Sequence, residues 1–158
     1  MKLALACDHR GFPAKEKLKT FLAQLGHQVQ DFGVQNANSA DYPDTVYPAA
    51  RTVVAGGADR AIMFCGTGIG CSITANKVAG VRAALCHDEL SAGLSRRHND
   101  ANVLCLSADL IGEELIRHIV KTWLETPFEG GRHLRRIQKI GDIERAERNG
   151  QMQQPPSS

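Results

Sequence analysis

The chain has 158 residues, enough for one compact core and short of what two ordinary domains need. Hydrophobic residues make up 42% and charged residues 23%, a balance that excludes the disordered classes, and no apolar run approaches the length of a bilayer. The formal charge is only +2, and without a basic stripe interleaved with aromatics it argues against nucleic acid as a partner.

In chain order, Lys2–Cys7 is a short apolar run that predicts a strand; Asp8 ends it too early for a secretory leader, so a cytoplasmic location is expected. Lys15–Leu25 repeats apolar residues at Leu18, Phe21, Leu22 and Leu25 and stops at Gly26, which predicts a helix. His27–Phe32 predicts a second strand, Asp41-Tyr42-Pro43-Asp44 a turn, and Tyr47–Ala55 the helix after it. Arg60–Cys65 predicts a third strand, which runs into a glycine loop and a helix over Ile69–Ala79. Strands over Val81–Cys86 and Asn102–Leu106 and helices over Glu89–His98 and Leu110–Leu124 continue the alternation. From Gly131 to about Arg148, Leu134, Ile137, Ile140 and Ile143 recur at threes on a charged background, an amphipathic helix. Past Gly150, the run Gln-Met-Gln-Gln-Pro-Pro-Ser-Ser has no apolar pattern and predicts a disordered tail.

Repeated βα units of this kind predict an α/β, Rossmann-like three-layer α/β/α fold with a five-stranded parallel sheet and an extra C-terminal helix. A single domain over 1–149 is expected, with the tail over 150–158. The excess positive charge is local. Between Glu129 and Gly150 there are six Lys/Arg against four Asp/Glu, leaving thirteen of each elsewhere, which points to an anion site near the last helix.

The five cysteines are an odd number without a CxxC pair, so neither a disulfide scaffold nor a zinc knuckle is indicated, and no metal is expected. Taken one at a time, each reads as a small buried hydrophobe. Position separates Cys65 from the rest. In an open parallel sheet ligands bind beyond the carboxyl ends of the strands, a rule that selects Cys7 to Gly11, Cys65 to Ser72, His87-Asp88 and Ser107 to Asp109. Gly66, Gly68 and Gly70 let backbone N–H groups converge without Cβ obstruction, and the following helix start adds positive potential. The loop is neither a Walker A sequence nor GxGxxG. A thiol beside such an anion cradle has a lowered pKa and can serve as a base, while the amides stabilise the oxyanion of an enediolate.

Cys7-Asp8-His9-Arg10-Gly11, the loop CGTGIG with Ala75-Asn76-Lys77, Arg82-Ala83-Ala84, Ser91-Ala92 through His98-Asn99-Asp100 to Leu104, and Glu129-Gly130-Gly131-Arg132-His133 together resemble the ribose-5-phosphate isomerase B family. The wider family includes galactose-6-phosphate and allose-phosphate isomerases. The resemblance implies a cofactor-free conversion of ribose 5-phosphate to ribulose 5-phosphate, or of another sugar phosphate. It implies that Cys65 moves a proton between C1 and C2, that Thr67 supports it, and that His98 opens the sugar ring. Gly66, Gly68, Gly70 and Ser72 would line the oxyanion cradle, Asp8 and Asn99 hold hydroxyls, Tyr42 touch the sugar, and His9, Arg132 and Arg136 hold the phosphate. It also implies a homodimer with shared active sites, or a tetramer, in which the last helix serves the partner. Relatives carry a phosphate-binding Arg after the fifth strand where this chain has Asp109, and one branch places a Glu base where this chain has Cys71.

From the residues alone other readings stay open. His98 also reads as a solvated helix-end histidine, Asp8 as a helix cap, and Arg132 and Arg136 as a charged face. A non-catalytic sugar-phosphate sensor and a cysteine hydrolase are the competing functions.

Overall fold

The computed structural model describes residues 1–150; the predicted tail, apart from Gly150, lies outside the described residues. The elements are β1 (Lys2–Cys7), α1 (Phe12–Gln24), β2 (Gln28–Asp31), α2 (Tyr42–Val54), β3 (Arg60–Cys65), α3 (Ile69–Ala75), β4 (Ala83–Leu85), α4 (Glu89–Asn99), β5 (Val103–Ser107), α5 (Glu113–Glu125) and α6 (Arg132–Arg148). All strand pairs are parallel and the sheet order is β2-β1-β3-β5-β4. The expected three-layer α/β/α architecture with an added C-terminal helix is what forms.

Two-residue alternation along the strands divides the core into two unequal faces. Leu3, Leu5, Ile62, Phe64, Leu104 and Leu106 point to one side, where they pack with Leu18 and Leu22 of α1 and with Ile119, Val120 and Trp123 of α5. Ala4, Ala6, Ala61, Met63 and Cys105 point to the other, against Val46, Ala49 and Ala50 of α2 and Cys71 and Ala75 of α3. The small side chains on the second face let α2 and α3 lie close to the strand ends. Each fully buried Leu, Ile or Phe contributes about 1.5–3 kcal/mol, so the first face carries more of the stability and the second more of the site.

Several boundaries depart from the sequence reading, for local reasons. α1 begins at Phe12 rather than Lys15, because Pro13 presets helical φ in the first turn. α2 likewise begins at Tyr42 on Pro43, so the predicted turn is the helix's first turn. α3 stops at Ala75, where the Asn76 amide donates to the carbonyls of Ser72 and Ala83 and accepts the Ala83 N–H. α5 starts at Glu113 rather than Leu110, since the Ser107 hydroxyl accepts the Leu110 N–H and holds 107–110 in a turn.

One buried charge ties the first βα unit together. Lys15 is fully buried; its Nζ lies 2.7 Å from Asp31 and donates to the Val34 carbonyl at 2.9 Å. Burial pushes the Asp31 carboxyl up, but hydrogen bonds from Lys15 and Lys19 outweigh this and hold it below its ordinary 3.8. Stability from a lowered carboxylate is present above its ordinary pKa and is lost as pH falls through the folded value. Lys15→Met should therefore cost about 3 kcal/mol in urea unfolding at pH 7, because it leaves a half-buried carboxylate with fewer partners. The difference from wild type should shrink below pH 4.

Candidate active site

β1 is the strand from which the chain goes both ways, to β2 on one side and to β3 on the other. The loops after β1 and β3 therefore diverge and open a crevice at their carboxyl ends. Cys65, the last residue of β3, is 4% exposed at the floor of this crevice. Its sulfur accepts hydrogen bonds from the Cys71 thiol and from the backbone N–H groups of Cys71 and Gly68. Together these donors pull the Cys65 pKa down to about 6 against the opposing effects of burial and the nearby Asp8. The Cys71 pKa is raised, first by the same hydrogen bond and then by burial, so Cys71 stays protonated and serves as the donor.

The loop geometry depends on its glycines. Gly68 sits at φ +78, and a Cβ there would lie 2.9 Å from the Leu106 carbonyl carbon. A Cβ on Gly70 would meet the Tyr42 ring at 2.5 Å, so Tyr42 lies flat against the loop. The Thr67 hydroxyl accepts the Ile69 N–H at 3.3 Å, and the Ser72 N–H donates to the Gly68 carbonyl at 3.1 Å. Across the crevice, the Asp8 carboxylate is nearly buried and accepts the N–H groups of Arg10 and Gly11 at 3.0 Å each. Asp8 thus closes the turn that precedes α1 and does not cap the helix, whose N-cap is Gly11 without a side-chain bond. His9 Nδ1 lies 3.2 Å from the Ala40 amide nitrogen, which fixes the ring beside the 33–40 loop.

A second group gathers at the opposite end of the sheet. α4 starts after β4 and runs back some 14 Å to His98, at about 1.5 Å per residue. The Asn99 carbonyl accepts from Arg82, which precedes β4, and Asn102 bonds to Ala61 at the start of β3. His98 and Asn99 thus stand at the amino end, a strand length away from Cys65 of the same chain. His98 stacks on His133 with ring centroids 4.2 Å apart, and Glu129 lies 3.3 Å from His133 and 3.9 Å from His98. Burial, then the neighbouring His98, Arg132 and Arg136, lower the His133 pKa against the opposing Glu129. Among the described residues, no hydrogen bond or ion pair links this group to the Cys65 crevice. The last helix, expected to serve the partner, is thus joined by His98 and Asn99 in standing away from Cys65.

Sequence reasoning passed over Glu129, His133 and the donor role of Cys71. Cys71 stands in the sequence only as the position where one branch places a Glu base, because its thiol-to-thiol bond depends on the first turn of α3. His98, Glu129 and His133 offer ligand atoms within 4.8 Å of one another. No helix among the described residues is long and apolar enough to cross a membrane.

A low-pKa thiol in a glycine-lined crevice suits an isomerase of sugar phosphates, and it is the comparisons with known proteins that select this class. The chain belongs to the Ribose/Galactose Isomerase family, whose model matches residues 3–140, and it is an aldose–ketose isomerase of the ribose-5-phosphate isomerase B type. It is 44% identical to ribose-5-phosphate isomerase B of Escherichia coli (strain K12), over 90% of this chain and 96% of that one. It is 39% identical to D-erythrulose-4-phosphate isomerase of Pectobacterium atrosepticum, over 94% and 99%. The solved ribose-5-phosphate isomerase B of Clostridium thermocellum superposes with a TM-score of 0.92 at 46% identity, over 93% of this chain and 99% of that chain.

The hydrogen bonds at Cys65 carry their own test. Thiolate absorbance, taken as wild type minus Cys65→Ser, should titrate with a midpoint of about 6, and in Cys71→Ala the midpoint should move up toward the ordinary 9.0. A midpoint unmoved by Cys71→Ala would show that the thiol bond does not set it.

Proposed function

We propose that the enzyme interconverts ribose 5-phosphate and ribulose 5-phosphate, with Cys65 as the base. The observation that carries this reading is the Cys65 thiol, lowered to about 6 and set against the amides of Cys71 and Gly68. In the open-chain aldose the thiolate takes the C2 proton and the electron pair moves onto the C1 carbonyl oxygen, giving a cis-enediolate. The glycine loop's N–H groups and Thr67 neutralise the charge developing there, as an oxyanion hole does. Cys65 then returns the proton to C1 while the hydroxyl proton on O2 passes to O1. Atoms and electrons balance within the substrate, so the step requires no external oxidant or reductant. Asp8 and Tyr42 line the same crevice and hold hydroxyls, and His9 faces the phosphate.

Ring opening and the phosphate contacts of the last helix fall to a second copy of the chain. His98, Asn99, Arg132 and Arg136 sit at the amino end of the sheet, too far to serve Cys65 in their own subunit, and α6 exposes Leu134, Ile140 and Ile143. A homodimer that brings one subunit's amino end to the other's crevice supplies all of these groups to each site. A cytoplasmic enzyme acting on an intracellular phosphate ester fits this chemistry.

The relative that acts on erythrulose 4-phosphate favours a second reading, in which a four-carbon sugar phosphate is preferred. A panel of tetrose, pentose and hexose phosphates followed by NMR decides between them. Ribose 5-phosphate should have the highest kcat/KM, and a higher value for a tetrose phosphate would replace the pentose assignment.

The shared site has a separate test. Cys65→Ala and His98→Asn chains should each lose most activity alone, but mixed dimers should regain one site built from intact Cys65 and intact His98. With random exchange half the dimers are mixed and each has one good site of two, so recovery should approach roughly a quarter of wild-type activity. Verified exchange without recovery would return His98 to a role within its own subunit.

A further inference from the structure

Arg10 follows β1, Asp109 follows β5, and the loop that begins at Cys65 and Gly66 lies between them because the sheet order places β3 between β1 and β5. The two side chains meet over that loop. Arg10 Nε lies 3.2 and 3.0 Å from the two Asp109 carboxylate oxygens, and an Nη2 nitrogen lies 2.8 Å from one of them. A Cβ on Gly66 would sit 2.8 Å from Asp109 Oδ2 and 3.6 Å from Arg10 Nε, so the pair occupies the space that a side chain at 66 would need.

Both ends of this bridge are fixed by backbone. The Asp109 N–H donates to the Gly66 carbonyl at 3.0 Å, the Ala108 N–H to the Cys65 carbonyl at 3.0 Å, and the Ser107 hydroxyl to the Gly66 carbonyl at 2.6 Å. On the other side the Arg10 N–H donates to Asp8. The Arg10 side chain is 57% exposed, and exposed ion pairs contribute roughly 0–1 kcal/mol, so stability does not account for a pair held this firmly over the active loop. Asp109 occupies only one edge of the guanidinium. The Nη1 amino group and the second Nη2 hydrogen face away from it, two donors spaced for the oxygens of a phosphoryl group.

We infer that Arg10 is a specificity-determining side chain that binds the phosphoryl group of the substrate, with Asp109 as the residue that positions its guanidinium over the glycine loop. The inference rests on the sugar-phosphate reading and adds to it a ligand contributed by the same subunit as Cys65. Arg10 provides a cation here although the residue after the fifth strand is acidic, and the Asp109 carboxylate that would repel a phosphate is neutralised by the same guanidinium.

The test separates binding from neutralisation by using Arg10→Ala and the double variant Arg10→Ala/Asp109→Ala. Inorganic phosphate binding by calorimetry and KM for ribose 5-phosphate are the readouts, with circular dichroism melts to verify folding. Loss of a charge-assisted, two-point contact to a dianion should raise both the phosphate Kd and KM by about tenfold or more in the single and in the double variant. If the double variant returns to wild-type values, Arg10 only screens Asp109 and the inference is wrong; unchanged values in Arg10→Ala overturn it as well. The phosphate Kd does not depend on turnover. Wild type that fails to turn over ribose 5-phosphate would therefore end the substrate assignment, while the Kd comparison would still decide the role of Arg10.

Discussion

The hydrogen bond from the Cys71 thiol to the Cys65 sulfur, backed by the amides of Cys71 and Gly68, is the interaction on which the proposed chemistry depends. It turns a cysteine in a nearly buried strand end, where burial alone would raise the pKa, into a thiolate near neutral pH. The contrast with Cys7 makes the point. Cys7 also ends a central strand and is buried, but it is pushed up to about 11 because burial outweighs the attraction of Lys15. Two strand-end thiols in one sheet thus differ by the donors that the following loop aims at them.

Those donors require the rest of the fold. Gly68 must adopt positive φ and pass close to the Leu106 backbone, which places β5 against the loop, and Gly70 must lack a side chain to admit Tyr42 from α2. The alanine-rich face of the sheet lets α2 and α3 approach, so packing on that side and geometry of the site have the same cause. The larger residues on the opposite face, with Trp123 buried beneath Arg60 and Arg96, hold the strands in register. An uneven core supports a precise loop.

Much of this was legible in the amino-acid sequence, and what was not has identifiable reasons. The strand into the glycine loop declared itself through the apolar run to Cys65 and glycines at alternate positions. The starts of α1 and α2 were hidden because Pro13 and Pro43 read as breaks when they are first-turn residues. The Arg10 and Asp109 pair spans 99 residues and depends on strand order, which hydrophobic pattern does not encode. The position of His98 was partly available, since a helix that follows one parallel strand must end at the amino side of the next. Its partners were not, because Glu129 and His133 reach it only through the course of the chain between α5 and α6.

The central claim is that Cys65 removes the C2 proton, and it is tested most directly by following exchange of that proton in D2O by NMR while substrate is bound. Wild type should move the proton or exchange it with solvent during turnover, and Cys65→Ala, with ribose 5-phosphate still bound, should show neither exchange nor product. Exchange at C2 that persists in Cys65→Ala would contradict the account and place the base on another residue.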